Sequence, residues 1–346
     1  MKIARIKGLF SVLWIFLFLC CSGNQAPLSE SGKLDIFFEK DHVKILVIDS
    51  GLGGLSVAAN LYPRLQEFRI FQKGEIIFFN AQPHIKSGYN LIRTKEKKVK
   101  VFESALAAML SKWDPDMLLI ACNTLSVLFP ETQYATTLKI PVMGVVEKGV
   151  DLIEENVPKN SDSGVIIMAT RTTISQGNHK RLLLERGFSE DQIITQACPG
   201  LAGSIERGTQ SPETIKLVNA LTDSVEKKLT REYSRLYLSL NCTHYGYISR
   251  QLMQAFIQRN ISIERLLNPN PFMVDFIFRP EFENRYSETD LTIQVFSQPE
   301  LPPERLESIA PLLAVESPQV AKALENYTCV PDLFEWRSIV GSDTLK

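Results

Sequence analysis

Six short, nearly unbroken apolar runs constrain the fold of this chain more than any other feature. They cover residues 45–48, 75–79, 117–121, 142–146, 165–169 and 236–240. A strand with one wet face alternates apolar and polar residues, whereas a strand covered on both faces does not. Between the runs, apolar residues return at helical spacing. Leu55, Ala58, Ala59 and Leu61 follow the first run, and Val99, Val101, Phe102, Ala105, Leu106, Met109 and Leu110 lie within a helix expected over 94–112. Strands alternating with helices predict an α/β fold with mostly parallel sheets flanked by helices. The first run ends on the glycine-rich turn Asp49-Ser50-Gly51-Leu52-Gly53-Gly54, and the fourth ends on Glu147.

The pattern restarts after 120 residues. Ile45–Ser50 corresponds in residue type to 165–170, and Cys122 corresponds to Cys242. Each of these cysteines follows an apolar run, and Asn123-Thr124 and Thr243-His244 come next. Two copies of one unit predict two pseudo-symmetric lobes. Ligands of open α/β sheets bind beyond the carboxyl ends of the strands, so both cysteines are expected to face a cleft between the lobes.

Two thiols facing one cleft suit the inversion of a carbon that bears a weakly acidic proton. One face needs a base and the other an acid, and the reverse reaction exchanges the roles. A cysteine thiol titrates near 8.5, and a helix N-terminus or a neighbouring cation lowers that value. Asp49 and His244 are placed to tune one thiol each. Buried structural thiols and a disulfide between Cys122 and Cys242 are the alternatives. Cys198 and Cys329 read as packing residues, His42 and His179 as surface residues, and Lys95, Lys97, Lys98 and Lys100 as a solvated helix face. The glycine turn lacks a complete G-x-G-x-x-G because Ser56 takes the last position. It reads better as a nest of backbone amides for a carboxylate than as a nucleotide site.

Composition excludes several other classes. The chain has 346 residues, with 38 Lys and Arg against 39 Asp and Glu, so it lacks the basic excess of a nucleic-acid-binding protein. Its six cysteines and four histidines show no zinc spacing. No metal site is therefore expected.

The N-terminus stands apart. Lys2, Arg5 and Lys7 precede an apolar stretch over 8–21, and Ser22-Gly23-Asn24-Gln25 follows. This is the layout of a secretory signal peptide, and the stretch is short for a membrane-spanning helix. The Cys20-Cys21 pair resembles the lipidation box of bacterial lipoproteins, and Cys21 fits it better than Cys20. The expectation is a signal over 1–21, a linker over 22–42 and a lipid-anchored protein on the periplasmic side of the cell envelope. A cytoplasmic protein is the alternative if the segment is not a working signal.

Five motifs together resemble the glutamate racemases of the aspartate/glutamate racemase superfamily. They are Asp49-Ser50-Gly51-Leu52-Gly53-Gly54-Leu55, Ala121-Cys122-Asn123-Thr124, Gly144-Val145-Val146-Glu147-Lys148-Gly149, Gln196-Ala197-Cys198-Pro199 and Cys242-Thr243-His244-Tyr245. The resemblance implies cofactor-independent racemisation that supplies D-glutamate to peptidoglycan. Cys122 and Cys242 would transfer the protons, with Asp49, Glu147 and His244 assisting. Ser50, Asn123, Thr124 and Thr243 would bind an acidic amino acid. Ser87-Gly88 replaces a Tyr-Gly pair that holds a substrate carboxylate in that family, and Tyr89 is offered as its stand-in one step along. Further departures are Lys148 and Gly246 for prolines, and Asn268-Pro269-Asn270 for an Asp-Ser-Gly. The resemblance places one lobe over 43–143 and about 271–314, the other over 144–270, and an extension over 315–346. A homodimer, a related acidic-substrate racemase or isomerase, and a non-catalytic amino-acid-binding lipoprotein remain open.

Overall fold

The structure is a computed structural model that describes residues 29–86 and 88–341. The apolar runs form strands buried on both faces: Ile45, Leu46, Val47 and Ile48 have no exposed surface, and neither have Val165, Ile166, Ile167 and Met168. The first lobe contains β1 (His42–Asp49), β2 (Lys73–Asn80), β3 (Met117–Ile120) and β4 (Val142–Gly144). The second contains β5 (Ser163–Ala169), β6 (Ile193–Ala197), β7 (Arg235–Asn241) and β8 (Ile263–Leu267). Two further strands, β9 (Asp290–Ser297) and β10 (Thr328–Cys329), return to the first lobe.

All strand pairs are parallel. The sheets run β10-β9-β2-β1-β3-β4 and β6-β5-β7-β8. The repeat is therefore topological as well as sequential. Order 2-1-3-4 recurs as 6-5-7-8, which makes β1 the counterpart of β5 and β3 the counterpart of β7. Helices cover both sheets, as parallel strands require.

Three segments differ from the sequence reading. The fourth run divides after Gly144, and the helix Val145–Asn156 begins at the next residue. An apolar run of that length suits either state. Val145, Val146, Gly149, Val150, Leu152 and Ile153 are buried at helical spacing, so packing decides for helix. Within the expected linker, Glu30–Phe38 is a helix whose first turn is capped by the Ser29 side chain. Phe37 and Phe38 are buried, with Phe37 edge-on to Phe71 and Phe38 stacked on Phe282 at 4.4 Å between centroids. The described part of the expected C-terminal extension also packs into the first lobe. Val320 and Leu324 are buried, β10 extends the sheet, and Phe334 lies edge-on to Phe79. No described helix is long and apolar enough to cross a membrane. Cys20 and Cys21 lie outside the described residues.

Candidate active site

The strands of both lobes end at one cavity of about 620 Å³. β1 delivers Asp49 and Ser50, and Cys122 follows β3. From the other lobe, Thr170 follows β5 and Cys242 follows β7; all five line the cavity. Both cysteines are 6% exposed, and both thiols are free. Each sits in extended backbone just before a helical turn, Asn123–Leu128 after Cys122 and Thr243–Ile248 after Cys242.

The two thiols have different surroundings. Cys122 Sγ lies 3.1 Å from Ser50 Oγ. Burial and the neighbouring Asp49 carboxylate push its thiol well above the usual range, against the Ser50 hydrogen bond. The lowering expected of a strand–helix junction is outweighed by desolvation. Cys242 Sγ lies 3.7 Å from His244 Nδ1. His244 Nε2 in turn lies 2.6 Å from Glu206 Oε1, which also accepts from the Leu52 amide at 2.8 Å. Arg305 pairs with the other oxygen of Glu206 at 2.5 Å. Burial opposes a charge on His244, but its hydrogen bonds to Cys242 and Glu206 prevail and hold its pKa well above the usual range. For Glu206, burial is likewise overcome by His244 and Arg305, which keep the carboxyl below its usual range.

The glycine turn does bind a carboxylate through a backbone amide, but the carboxylate is the protein's own Glu206. The turn comes from one lobe and Glu206, in the helix Leu201–Arg207, from the other. The lobes are joined again where Thr243 Oγ1 donates to Asp49 Oδ2 at 2.7 Å, and where the Thr124 and Thr170 hydroxyls meet at 2.8 Å. Burial raises the Asp49 carboxyl, with His244 and Thr243 opposing.

Several buried polar atoms at the cavity have no partner within the protein. They are Asp49 Oδ1, both amide atoms of Asn123 and the Tyr89 hydroxyl. Buried polar groups are satisfied in most folded proteins, so these four atoms, set around the two thiols, mark where a polar ligand would complete the wall.

Of the residues expected at the site, Cys122, Cys242, Asp49, His244, Ser50, Gly88, Asn123, Thr124 and Thr243 line the cavity, and so does Tyr89. Ser87 lies outside the described residues. Glu147 does not reach the cavity; it is exposed in the first turn of the helix Val145–Asn156, because that helix begins two residues before it. The carboxylate that stands beside His244 is instead that of Glu206. Its only sequence cue is that it lies in the short segment just after the Gln196-Ala197-Cys198-Pro199 motif, which folds as the helix Leu201–Arg207. Arg305 gave no cue at all. His179, expected at the surface, is buried beside Gly149, and burial lowers its pKa to about 4. Cys198 is a core residue as expected, whereas Cys329 is exposed.

Comparison with known proteins agrees with this geometry. Residues 45–258 match the Asp/Glu/hydantoin racemase family. The glutamate racemase of Lysinibacillus sphaericus is 29% identical over 206 residues, which span 60% of this chain and 71% of the relative. That of Campylobacter jejuni is 29% identical over 237 residues, spanning 68% and 84%. Its crystal structure superposes with a TM-score of 0.56 at 25% identity, covering 79% of this chain and 97% of that one. A glutamate racemase isoform from Bacillus anthracis shares the fold at 18% identity and a TM-score of 0.60, covering 85% and 100%. Since the family match takes in more than half of the chain and both cavity cysteines, the protein belongs to the Asp/Glu/hydantoin racemase family.

Proposed function

We propose that the protein interconverts the L and D forms of an acidic amino acid, glutamate foremost, by proton transfer through Cys122 and Cys242. The observation that carries this reading is the placement of two free thiols after the equivalent strands β3 and β7, both on one cavity. In one direction the Cys242 thiolate takes the α-proton while the Cys122 thiol delivers a proton to the opposite face. The α-carbon gains and loses one proton, and the thiols exchange states. Burial favours the protonated form of Cys122, which suits it as the first donor, and Cys242, 3.7 Å from the charged His244, is the partner base. The reverse reaction uses the same groups in exchanged roles. Asn123, Asp49 Oδ1 and Tyr89 supply free polar atoms for the substrate, and the chemistry uses no cofactor.

The names of the relatives support glutamate as the substrate, and with it a D-glutamate supply for peptidoglycan. The altered segment before Tyr89 makes aspartate the first competitor. The test is deuterium uptake at the α-carbon of L- and D-glutamate and L- and D-aspartate in D₂O. Uptake by the folded wild type and its loss in Cys122→Ser and Cys242→Ser are expected. No uptake with any of the four would overturn the reading and leave a non-catalytic binding protein.

We also propose a lipid anchor at Cys21 or Cys20 on the periplasmic side of the envelope, supported by the basic and apolar start of the chain. Ser29, the cap of the first described helix, comes eight residues after Cys21, a reach of at most about 28 Å. Palmitate labelling of the wild type and of Cys20→Ser and Cys21→Ser variants tests it, and an unlabelled wild type refutes it.

A further inference from the structure

Arg305 lies outside the family match and outside every motif read from the sequence, yet it is one of the most constrained charges in the protein. It is 6% exposed, in the first turn of the helix Pro303–Ala314. Its Nη1 meets Glu206 Oε2 at 2.5 Å and Gln82 Oε1 at 2.9 Å, and its Nη2 donates to the Ile85 carbonyl at 3.2 Å. One guanidinium thus ties a carboxylate of the second lobe to the 82–85 segment of the first. The same helix crosses to the second lobe again where Ser308 Oγ donates to the Ile205 carbonyl at 2.9 Å.

We propose that Arg305 is a positioning residue for the Cys242 half of the site: it fixes Glu206 against His244 and supplies the buried positive charge that balances a thiolate at Cys242. This rests on the proton-transfer reading above. The groups facing His244 define the charge balance. They are Cys242 beside it, Asp49 from β1, and Glu206 from the helix Leu201–Arg207 with Arg305 behind it; Tyr245 and Cys198 are the titratable groups on the far side of Cys242. Setting aside Asp49, which also faces Cys122, an ionised Cys242, a charged His244 and an ionised Glu206 would without Arg305 leave one buried negative charge in excess. A low-dielectric site resists that excess, and the thiol is the group that can shed it by keeping its proton. Cys122 has no such arrangement. Thr124 stands where the repeat would place a histidine, and its hydroxyl is spent on Thr170.

The test reads thiolate directly and needs no turnover. Iodoacetamide, a neutral reagent that the guanidinium does not steer, alkylates thiolates; the exposed Cys329 serves as an internal reference in peptide mass spectrometry. In Arg305→Gln, alkylation of Cys242 at pH 7 is expected to slow about tenfold, the equivalent of one pK unit, with its pH profile displaced upward. Arg305→Lys, which keeps the charge and loses the fork, restores most of the rate. Arg305→Met provides a second neutral variant if Gln is poorly accommodated. A Cys242 rate within twofold of wild type in a folded neutral variant overturns the proposal. So does Arg305→Lys as slow as Arg305→Gln, which would make Arg305 a mere clamp. Failure of the racemase reading appears separately, as absent deuterium uptake with this alkylation pattern intact.

Discussion

Gly53 is the position where one added carbon has the most specific consequence. A Cβ there would lie 2.4 Å from Thr243 Oγ1, 2.6 Å from His244 Nδ1 and 2.7 Å from the His244 backbone nitrogen. Ordinary contact is nearer 3.4 Å, so Thr243 and His244 must retreat by about 0.7–1 Å. The backbone nitrogen cannot swing aside as a long side chain would. Thr243 would be pushed from Asp49, and the His244 ring from its place between Cys242 and Glu206. Overpacking of this kind costs about 1–3 kcal/mol of stability, and a misplacement of about 1 Å at reacting groups costs on the order of 10²-fold in rate. Gly88 is the control. It also lines the cavity, but a Cβ there meets nothing within 4 Å, and its extended backbone accepts alanine. Gly53→Ala should therefore lose about two orders of magnitude in kcat/KM for racemisation, measured by circular dichroism. Its unfolding midpoint should fall modestly, while Gly88→Ala keeps the wild-type midpoint. A Gly53→Ala enzyme within threefold of wild type would refute the claim that the glycine turn sets the position of the Thr243-His244 pair.

Glu147 and Glu206 separate the sequence reading from the structure. Glu206→Gln removes the charge 2.6 Å from His244 and is expected to lower kcat/KM by about 10²-fold, since an opposite charge at that range is worth about 1–3 pK units; Glu147→Gln should leave it within twofold, and the reverse result in the same assay would restore Glu147 to the site. His244 makes stability depend on pH. Its folded pKa lies well above the free value of 6.5, so its contribution is whole below about pH 6.5 and is withdrawn as pH rises through the folded value, at no more than about 1.4 kcal/mol per pH unit. Urea unfolding between pH 6.5 and 8.5 should show wild type losing stability with a steeper slope than His244→Asn, and equal slopes would contradict a charged His244.

What the sequence made legible, and what it hid, follows from the range of the interactions. The strands could be read because burial on both faces removes polar residues over consecutive positions, as at Ile45 to Ile48. The cysteines could be placed because a strand end is a local feature and the 120-residue offset marks equivalent ends. The helix at Glu30–Phe38 was obscured because its buried residues are Phe37 and Phe38 alone, too few for a periodic pattern. What covers those rings, Phe71 and Phe282, is distant in sequence. Glu206 and Arg305 were hidden for a similar reason. Each is a single charge on a helix, and its meaning lies in a partner 38 or more residues away. Glu147 shows the converse. Its position beside an apolar run resembled a strand end, but the run became the start of a helix, and Glu147 is an exposed residue of its first turn that does not line the cavity. The repeat itself has the same limit. It equates Cys122 with Cys242, yet 120 residues before His244 stands Thr124, and 120 before Glu206 stands Lys86. Two cavity cysteines in equivalent backbone positions thus meet unlike neighbours: a buried Asp49 and Ser50 on one side, and an imidazole–carboxylate–guanidinium series on the other. Because the backbones match, the thiols can serve opposite faces of one carbon. Because the neighbours differ, the proposed reaction starts with one thiol as the acid and the other as the base, and a two-base exchange needs both properties at once.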